Sequence, residues 1–292
     1  MTDNEWDLLL GRIAQGKCTP FLGAGISAGV LPLGAEIARD WAVEHGYPLD
    51  DSEDLARVAQ FLGVDRNDQM HPKEEIVRRF GQCAPPDFNR EDEPHVVLAK
   101  LPLPLYMTTN YDGFLLEALK KQENKVPRWD ICRWNKSDSV TEVPSAFARN
   151  FKPDDRNPVV FHLHGTADVP ESMVLTEDDY LDFLVAVSRD DKLLPHQVKK
   201  AFTDTSLLFI GYGLTDWDFR VLHRGMVMAK EGSLRRLSVT VQVEDEKLAN
   251  PEAARTYLDS YFGTMNVRVY WGPATKFVSE LWDRWNARNG NG

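Results

Sequence analysis

An α/β fold, built on a mostly parallel sheet with helices on both faces, is what this sequence predicts. Three observations carry the prediction. Short apolar runs of strand length recur at residues 18–22, 105–109, 159–163, 206–210, 237–243 and 267–271. Segments with apolar residues at helical spacing separate most of them, and strands alternating with helices favour a parallel sheet covered on both faces. Polar or glycine-rich residues follow four of the runs, and in such a sheet the carboxyl ends of the strands line a common crevice where ligands bind.

The elements follow in order. Residues 18–22 form the first strand, and 35–45 the helix after it, with Ile37, Ala38, Trp41 and Ala42 on one face. A mostly helical insertion spans about 48–100; its polar stretch, 52–81, is interrupted by Gly63, by Asp65-Arg66-Asn67-Asp68 and by His71-Pro72. A helix at 94–100 leads into the strand 105–109, and another at 114–121 succeeds it. Residues 122–157 are rich in Pro, Trp and charge and lack periodicity, which predicts loops or an irregular insertion. The strand 159–163 precedes helices at 177–187 and 196–202, and the strand 206–210 follows directly. Strands at 237–243 and 267–271 complete the set. A C-terminal helix carries Phe277, Leu281, Trp282 and Trp285; packing on its own sheet is the expected use, with a partner contact the alternative. The whole is expected to be a single domain, 1–292.

Composition bounds the function. The 292 residues carry a formal net charge of -11, which opposes general affinity for nucleic acid, since phosphate neutralisation needs clustered Lys and Arg. Arg224, Lys230, Arg235 and Arg236 are expected to be a solvated helix end and turn. Cys18, Cys83 and Cys132 have no C-x-x-C spacing, so neither a disulfide framework nor a cysteine zinc site is indicated. The first ten residues carry Asp3, Glu5 and Asp7 in place of a basic targeting region, and no apolar run reaches membrane-spanning length. A cytoplasmic protein, with no membrane contact, is expected.

The chemistry-bearing motifs lie at the strand ends. Phe21-Leu22-Gly23-Ala24-Gly25-Ile26-Ser27 breaks from an apolar run into close glycines, the pattern of a strand-to-helix turn that brings backbone N–H groups to a phosphate. Glycine there is expected to admit the phosphate or to supply positive φ. Thr108-Thr109-Asn110-Tyr111-Asp112 follows a second strand, where Asx side chains also cap helices. His164-Gly165 follows a third; His164 can titrate and transfer protons near neutral pH, whereas His162 is expected to be structural. Gly211-Tyr212-Gly213-Leu214-Thr215-Asp216 follows a fourth, as a second close-approach loop. The first motif reads G-x-G-x-x-x-G, with Gly29 third, and the strand bearing a ribose-binding acid is replaced by Pro48-Leu49-Asp50-Asp51 and a polar helix. Hydride transfer is therefore disfavoured. The Lys-Ser/Thr ending of an ATPase phosphate loop is absent too.

In this order the four motifs resemble the series of the sirtuin superfamily, and more specifically the sirtuin-like domains of prokaryotic antiviral defence proteins, over about residues 18–271. The resemblance implies a Rossmann-like sheet. It implies that Gly23, Ala24, Gly25 and Ser27 hold the pyrophosphate of NAD, that Asn110 and Asp112 line the nicotinamide and ribose pocket with Thr109 beside them, and that His164 is the base. Gly211, Tyr212, Gly213 and Asp216 would support the ribose and adenine side. Protein deacetylases of the superfamily carry two C-x-x-C pairs on a zinc module and Pro-Asp-Phe-Arg after the glycine turn. Here the cysteines are unpaired and Val30-Leu31-Pro32-Leu33-Gly34 stands at that place, so no zinc is expected. What the resemblance implies is an NAD glycohydrolase, with NAD as substrate, that depletes NAD during infection as a homo-oligomer or beside a separate sensor protein. A deacylase, an ADP-ribosyltransferase and a non-catalytic module sensing NAD or ADP-ribose are the alternatives.

Overall fold

Seven strands, all parallel, make one sheet among the residues that the computed structural model describes, which are 1–190, 192–212, 237–242, 250–264 and 266–289. The strands are β1 (Cys18–Leu22), β2 (Leu105–Thr108), β3 (Arg128–Ile131), β4 (Val159–His162), β5 (Ser206–Ile210), β6 (Ser238–Gln242) and β7 (Val267–Trp271), in the order β3-β4-β2-β1-β5-β6-β7. The result is a Rossmann-like α/β fold, as the strand and helix alternation predicts. The chain leaves central β1 for β2, β3 and β4 on one side, then crosses to β5 on the other. That reversal makes the carboxyl end of β1 the switch point of the sheet, where such folds place their ligands. Leu22 there pairs with Thr108 on one side and Ile210 on the other.

The helices are α1 (Asp3–Ala14), α2 (Gly34–His45), α3 (Leu55–Asp65), α4 (His71–Gly81), α5 (Pro94–Lys100), α6 (Phe114–Lys120), α7 (Asp138–Thr141), α8 (Glu177–Arg189), α9 (His196–Asp204), α10 (Pro251–Gly263) and α11 (Ala274–Asn289). None of the described helices is long and apolar enough to cross a membrane. One core lies between the sheet and α1, α5, α6 and α11. A second covers the opposite face with residues of α8, α9 and α10. A third ties α2, α3 and α4, through Ile37, Trp41, Leu62 and Ile76, to Met173 and Leu175 of the loop after β4.

Three differences from the sequence expectation have physical causes. Strand β3 lies inside 122–157, where loops or an irregular insertion were expected, because four residues are too few for a periodic signal and two of them, Arg128 and Asp130, are charged. Asp130 is fully buried. Its carboxylate accepts from the Ile131 and Ala146 amides and the Ser145 hydroxyl and pairs with Arg133 at 2.8 Å. Buried charge is tolerated when it is paired and hydrogen-bonded in this way. Helix α1 starts from a capping box between Thr2 and Glu5 and buries Trp6, Leu9, Leu10 and Ile13. Its Trp6 ring stacks on Phe277 of α11 at 5.3 Å, which also settles α11 against its own sheet, with Trp282 and Trp285 partly buried. Helix α10 begins at a Pro after the N-cap Asn250, whose side chain accepts from the Ala253 amide. Arg224, Lys230, Arg235 and Arg236, expected to be a solvated helix end and turn, lie outside the described residues.

Candidate functional site

The glycine turn and the Gly211 loop are in direct backbone contact at the switch point. Gly23 N–H donates to Ile210 O and Gly25 N–H to Gly211 O, both at 2.9 Å. A Cβ on Gly23 would stand 2.8 Å from Gly211 O, one on Gly25 2.9 Å from Gly211 Cα, and one on Gly211 2.5 Å from Ile26 N. All three positions therefore exclude a side chain. The reason differs from the one the sequence predicts for the turn. Gly23 is extended, with φ -114 and ψ 178, and positive φ falls on Gly211 at +85. Close packing of the β1 and β5 loop ends, rather than positive φ in the first turn, is what requires glycine at Gly23 and Gly25. Ala24 is exposed at the tip of the short 3-10 helix Ala24–Ser27, whose Ile26 and Ser27 are buried.

Three strand ends are stapled together at Leu22. Its carbonyl receives Thr109 N–H at 3.0 Å, Thr108 Oγ1 at 3.1 Å and the Tyr212 hydroxyl at 3.0 Å. Since the single Tyr212 hydroxyl proton is spent on Leu22, Thr109 Oγ1 is the donor in its 2.9 Å bond to Tyr212. The Tyr212 ring is buried between Phe21 and Phe209, at centroid distances of 5.6 and 6.3 Å. Its side chain thus holds the site from beneath. Gly213 and Asp216 lie outside the described residues.

Asn110 and Asp112 leave β2 directly above this staple. The Asn110 side chain donates from Nδ2 to Gly23 O at 3.2 Å, and its backbone N–H donates to Thr108 Oγ1 at 2.9 Å. Asp112 does two things at once. One carboxyl oxygen accepts from the Phe114 amide at 3.0 Å, capping α6, and the other stands 3.5 Å from Ser27 Oγ. Helix capping and proximity to the glycine turn, alternatives in the sequence, are here combined.

His164 belongs to the next strand over. Leu163 N–H donates to Thr108 O at 2.8 Å, which carries His164 into the row beside Asn110. Its ring lies under the edges of Tyr180 and Phe183 of α8, at 5.5 and 5.0 Å, and is only 2% exposed. Burial penalises the imidazolium and pulls the pKa down to about 3. The ring is therefore neutral at pH 7 and, buried as it is, less basic than the group titrating near neutral pH that the sequence predicts. Gly165 follows at φ +77, where a Cβ would fall 2.2 Å from Ser172 O. His162, also buried, has its pKa lowered, chiefly by burial.

Residues to which the sequence reading gave no role frame the loop beyond Gly165. The Tyr111 hydroxyl donates to Val174 O at 2.6 Å, and Val174 N–H donates to His164 O at 3.0 Å. The Trp134 indole donates to Ser172 O at 2.8 Å. Lys73 of α4 meets Asp179 of α8 at 2.9 Å in a nearly buried pair, with its Nζ 5.6 Å from the Trp134 ring centroid. These contacts cross long sequence separations, and one sequence carries no signal for them.

Among the described residues no group of three or more His, Cys, Asp or Glu side chains is placed to hold a metal ion. Cys18 and Cys132 are buried thiols whose pKa burial raises to about 12, far from the thiolate that metals bind.

A parallel sheet with a double glycine contact at its switch point, flanked by an Asn/Asp turn and a neutral histidine, defines a Rossmann-like α/β protein with its polar residues gathered where such sheets place ligands. The chain belongs to the SIR2-like domain family, which matches residues 104–268. That span includes Asn110, Asp112, His164 and Gly211, while the glycine turn precedes it. Over a 318-residue alignment the chain is 23% identical to a protein of Acinetobacter baumannii (strain 532279) named NAD(+) hydrolase ThsA, covering 99% of this chain and 58% of that one. It is 28% identical over 251 residues to the protein of that name from Bacillus cereus (strain MSX-D12), covering 84% and 47%. For the Enterococcus faecium protein of that name the identity is 27%, covering 70% and 38%. The chain thus spans about half the length of the curated relatives it matches.

Proposed function

We propose that this chain hydrolyses NAD to nicotinamide and ADP-ribose and serves as the NAD-depleting effector of an antiviral defence system. The alignment of nearly the whole chain with a protein named NAD(+) hydrolase ThsA carries the reading. In it, residues 1–292 act as a single SIR2-like domain in the cytoplasm, with the helices between 48 and 100 as an insertion. The domain works as a homo-oligomer or beside a sensor protein.

The chemistry follows from the residues at the switch point. Gly23, Ala24, Gly25 and Ser27 receive the pyrophosphate, and Gly211, Tyr212, Gly213 and Asp216 form the adenosine side. Breaking the N-glycosidic bond releases neutral nicotinamide and leaves an oxocarbenium-like ribose, which Asp112 and the oxygens around it favour electrostatically. Asn110, beside Thr109, orients the ribose or the attacking water. His164, neutral at pH 7, accepts the proton that water or a ribose hydroxyl gives up.

Product analysis tests the reading. NAD is incubated with the purified chain, with and without an acetyl-lysine peptide, and the products are identified by mass spectrometry. Nicotinamide and ADP-ribose in equal amounts, unchanged by the peptide, are expected. Acetylated ADP-ribose formed with the peptide, or NAD bound and left intact, would overturn it.

A further inference from the structure

We propose that His162 is a positioning residue for the site: its ring holds the main-chain carbonyl of Asn110 and so fixes where the Asn110 side chain stands. This rests on the hydrolase reading above. His162 ends β4 and pairs in register with Thr108 of β2 and Ile131 of β3. It is 3% exposed, with the Trp129 ring edge-on at 6.5 Å and its Nδ1 3.2 Å from Asn110 O. A carbonyl oxygen only accepts, so Nδ1 carries the proton and the other ring nitrogen is bare in the neutral form.

The sheet explains why a side chain does this. Between parallel strands the donors that face a neighbour recur at every second residue. Leu163 N–H bonds Thr108 O, so the Gly165 amide is next in register for Asn110 O. The chain turns away at Gly165, φ +77, to meet Ser172, and the His162 imidazole reaches Asn110 O in its place. Asn110 is then held at three points: its N–H by Thr108, its carbonyl by His162, and its Nδ2 by Gly23 O. Among the described residues its Oδ1 takes no hydrogen bond. Removing the His162 donor frees the peptide unit to rotate and carries the side chain with it; angstrom-scale misplacement of such groups costs rate more than binding.

The test uses two substitutions that differ in where they place an N–H. An Asn side chain reaches the position of Nδ1, a Gln side chain that of the distal nitrogen. With NAD as substrate, His162→Gln is expected to lower kcat about tenfold or more with KM within about twofold, and His162→Asn to return to within about threefold of the unaltered chain. An active parent with His162→Gln at the same kcat, or with both variants equally impaired, overturns the positioning role alone. A parent that releases no nicotinamide overturns the hydrolase reading and this proposal with it. Nitrogen-15 shifts of the imidazoles in the unaltered chain decide the matter where a variant fails to fold. A His162 ring protonated at Nδ1 supports the proposal, and one protonated only at the distal nitrogen contradicts it.

Discussion

The Asn110 side chain donates to the carbonyl of Gly23 at 3.2 Å, joining the end of β2 to the glycine turn of β1 across 87 residues of sequence. Replacing Asn110 with Asp keeps the shape and sets a carboxylate oxygen against that carbonyl. NAD turnover by Asn110→Asp is expected to fall at least about a hundredfold, with the melting temperature lowered as well, because the donor is lost and an uncompensated acceptor pair remains. Turnover and melting curves of the two proteins check this.

Gly211 and Gly29 provide a controlled comparison. Both have positive φ, +85 and +84, yet a Cβ at Gly211 meets backbone at 2.5 and 2.6 Å while one at Gly29 has nothing within 4 Å. Urea unfolding is expected to give a loss of about 1 kcal/mol for Gly29→Ala, from backbone strain alone, and of about 3 kcal/mol or more for Gly211→Ala.

The Tyr212 hydroxyl lies between Leu22 O and Thr109 Oγ1. Tyr212→Phe keeps the ring between Phe21 and Phe209 and removes both bonds, at an expected cost of about 2 kcal/mol. In a double-mutant cycle with Thr109→Val the two losses should fall short of additivity, since both changes remove the same bond.

Lys73 and Asp179 join α4 to the start of α8, with side chains 7% and 14% exposed. Asp179 also accepts from the Leu175 and Thr176 amides. Lys73→Met leaves that carboxylate without its cation and is expected to cost about 3 kcal/mol in chemical denaturation. Because α8 supplies the Tyr180 and Phe183 rings over His164, its loosening should also raise the His164 pKa toward that of an exposed imidazole.

Acid should destabilise the protein through the same ring. His164 titrates near 3 when folded, below its usual 6.5, because burial disfavours the cation. Between these values the unfolded chain binds more protons than the folded one, so stability is full above pH 6.5 and falls as pH drops toward 3, at up to about 1.4 kcal/mol per pH unit. His162, lowered in the same direction by burial, adds to the slope. Denaturation midpoints between pH 7 and pH 4 should fall less steeply in His164→Phe than in the unaltered chain.

The strands of the inner sheet were legible because Cys18–Leu22, Val159–His162 and Ser206–Ile210 are buried at every residue, and a fully buried strand leaves a continuous apolar run. Strand β3 was not, since Asp130 breaks its pattern, and that charge is made tolerable by Arg133 and by the Ser145–Ala146 turn folded over it. At the site, the sequence located the Gly23, Asn110, His164 and Gly211 segments but not how they touch. The mutual exclusion of side chains at Gly23, Gly25 and Gly211 depends on two loops 188 residues apart, Gly23 to Gly211. The role of the Tyr212 ring beneath the sheet and the bracing by Tyr111, Trp134 and Lys73 are tertiary facts of the same kind.

Nicotinamide released from NAD by the unaltered chain and by His164→Ala, compared at equal folded fraction, is the most direct measure of the central claim. The account predicts many turnovers by the unaltered chain, with ADP-ribose as co-product, and a rate at least about a hundredfold lower in the variant. Equal rates in the two proteins, or no nicotinamide from the unaltered chain, would contradict it.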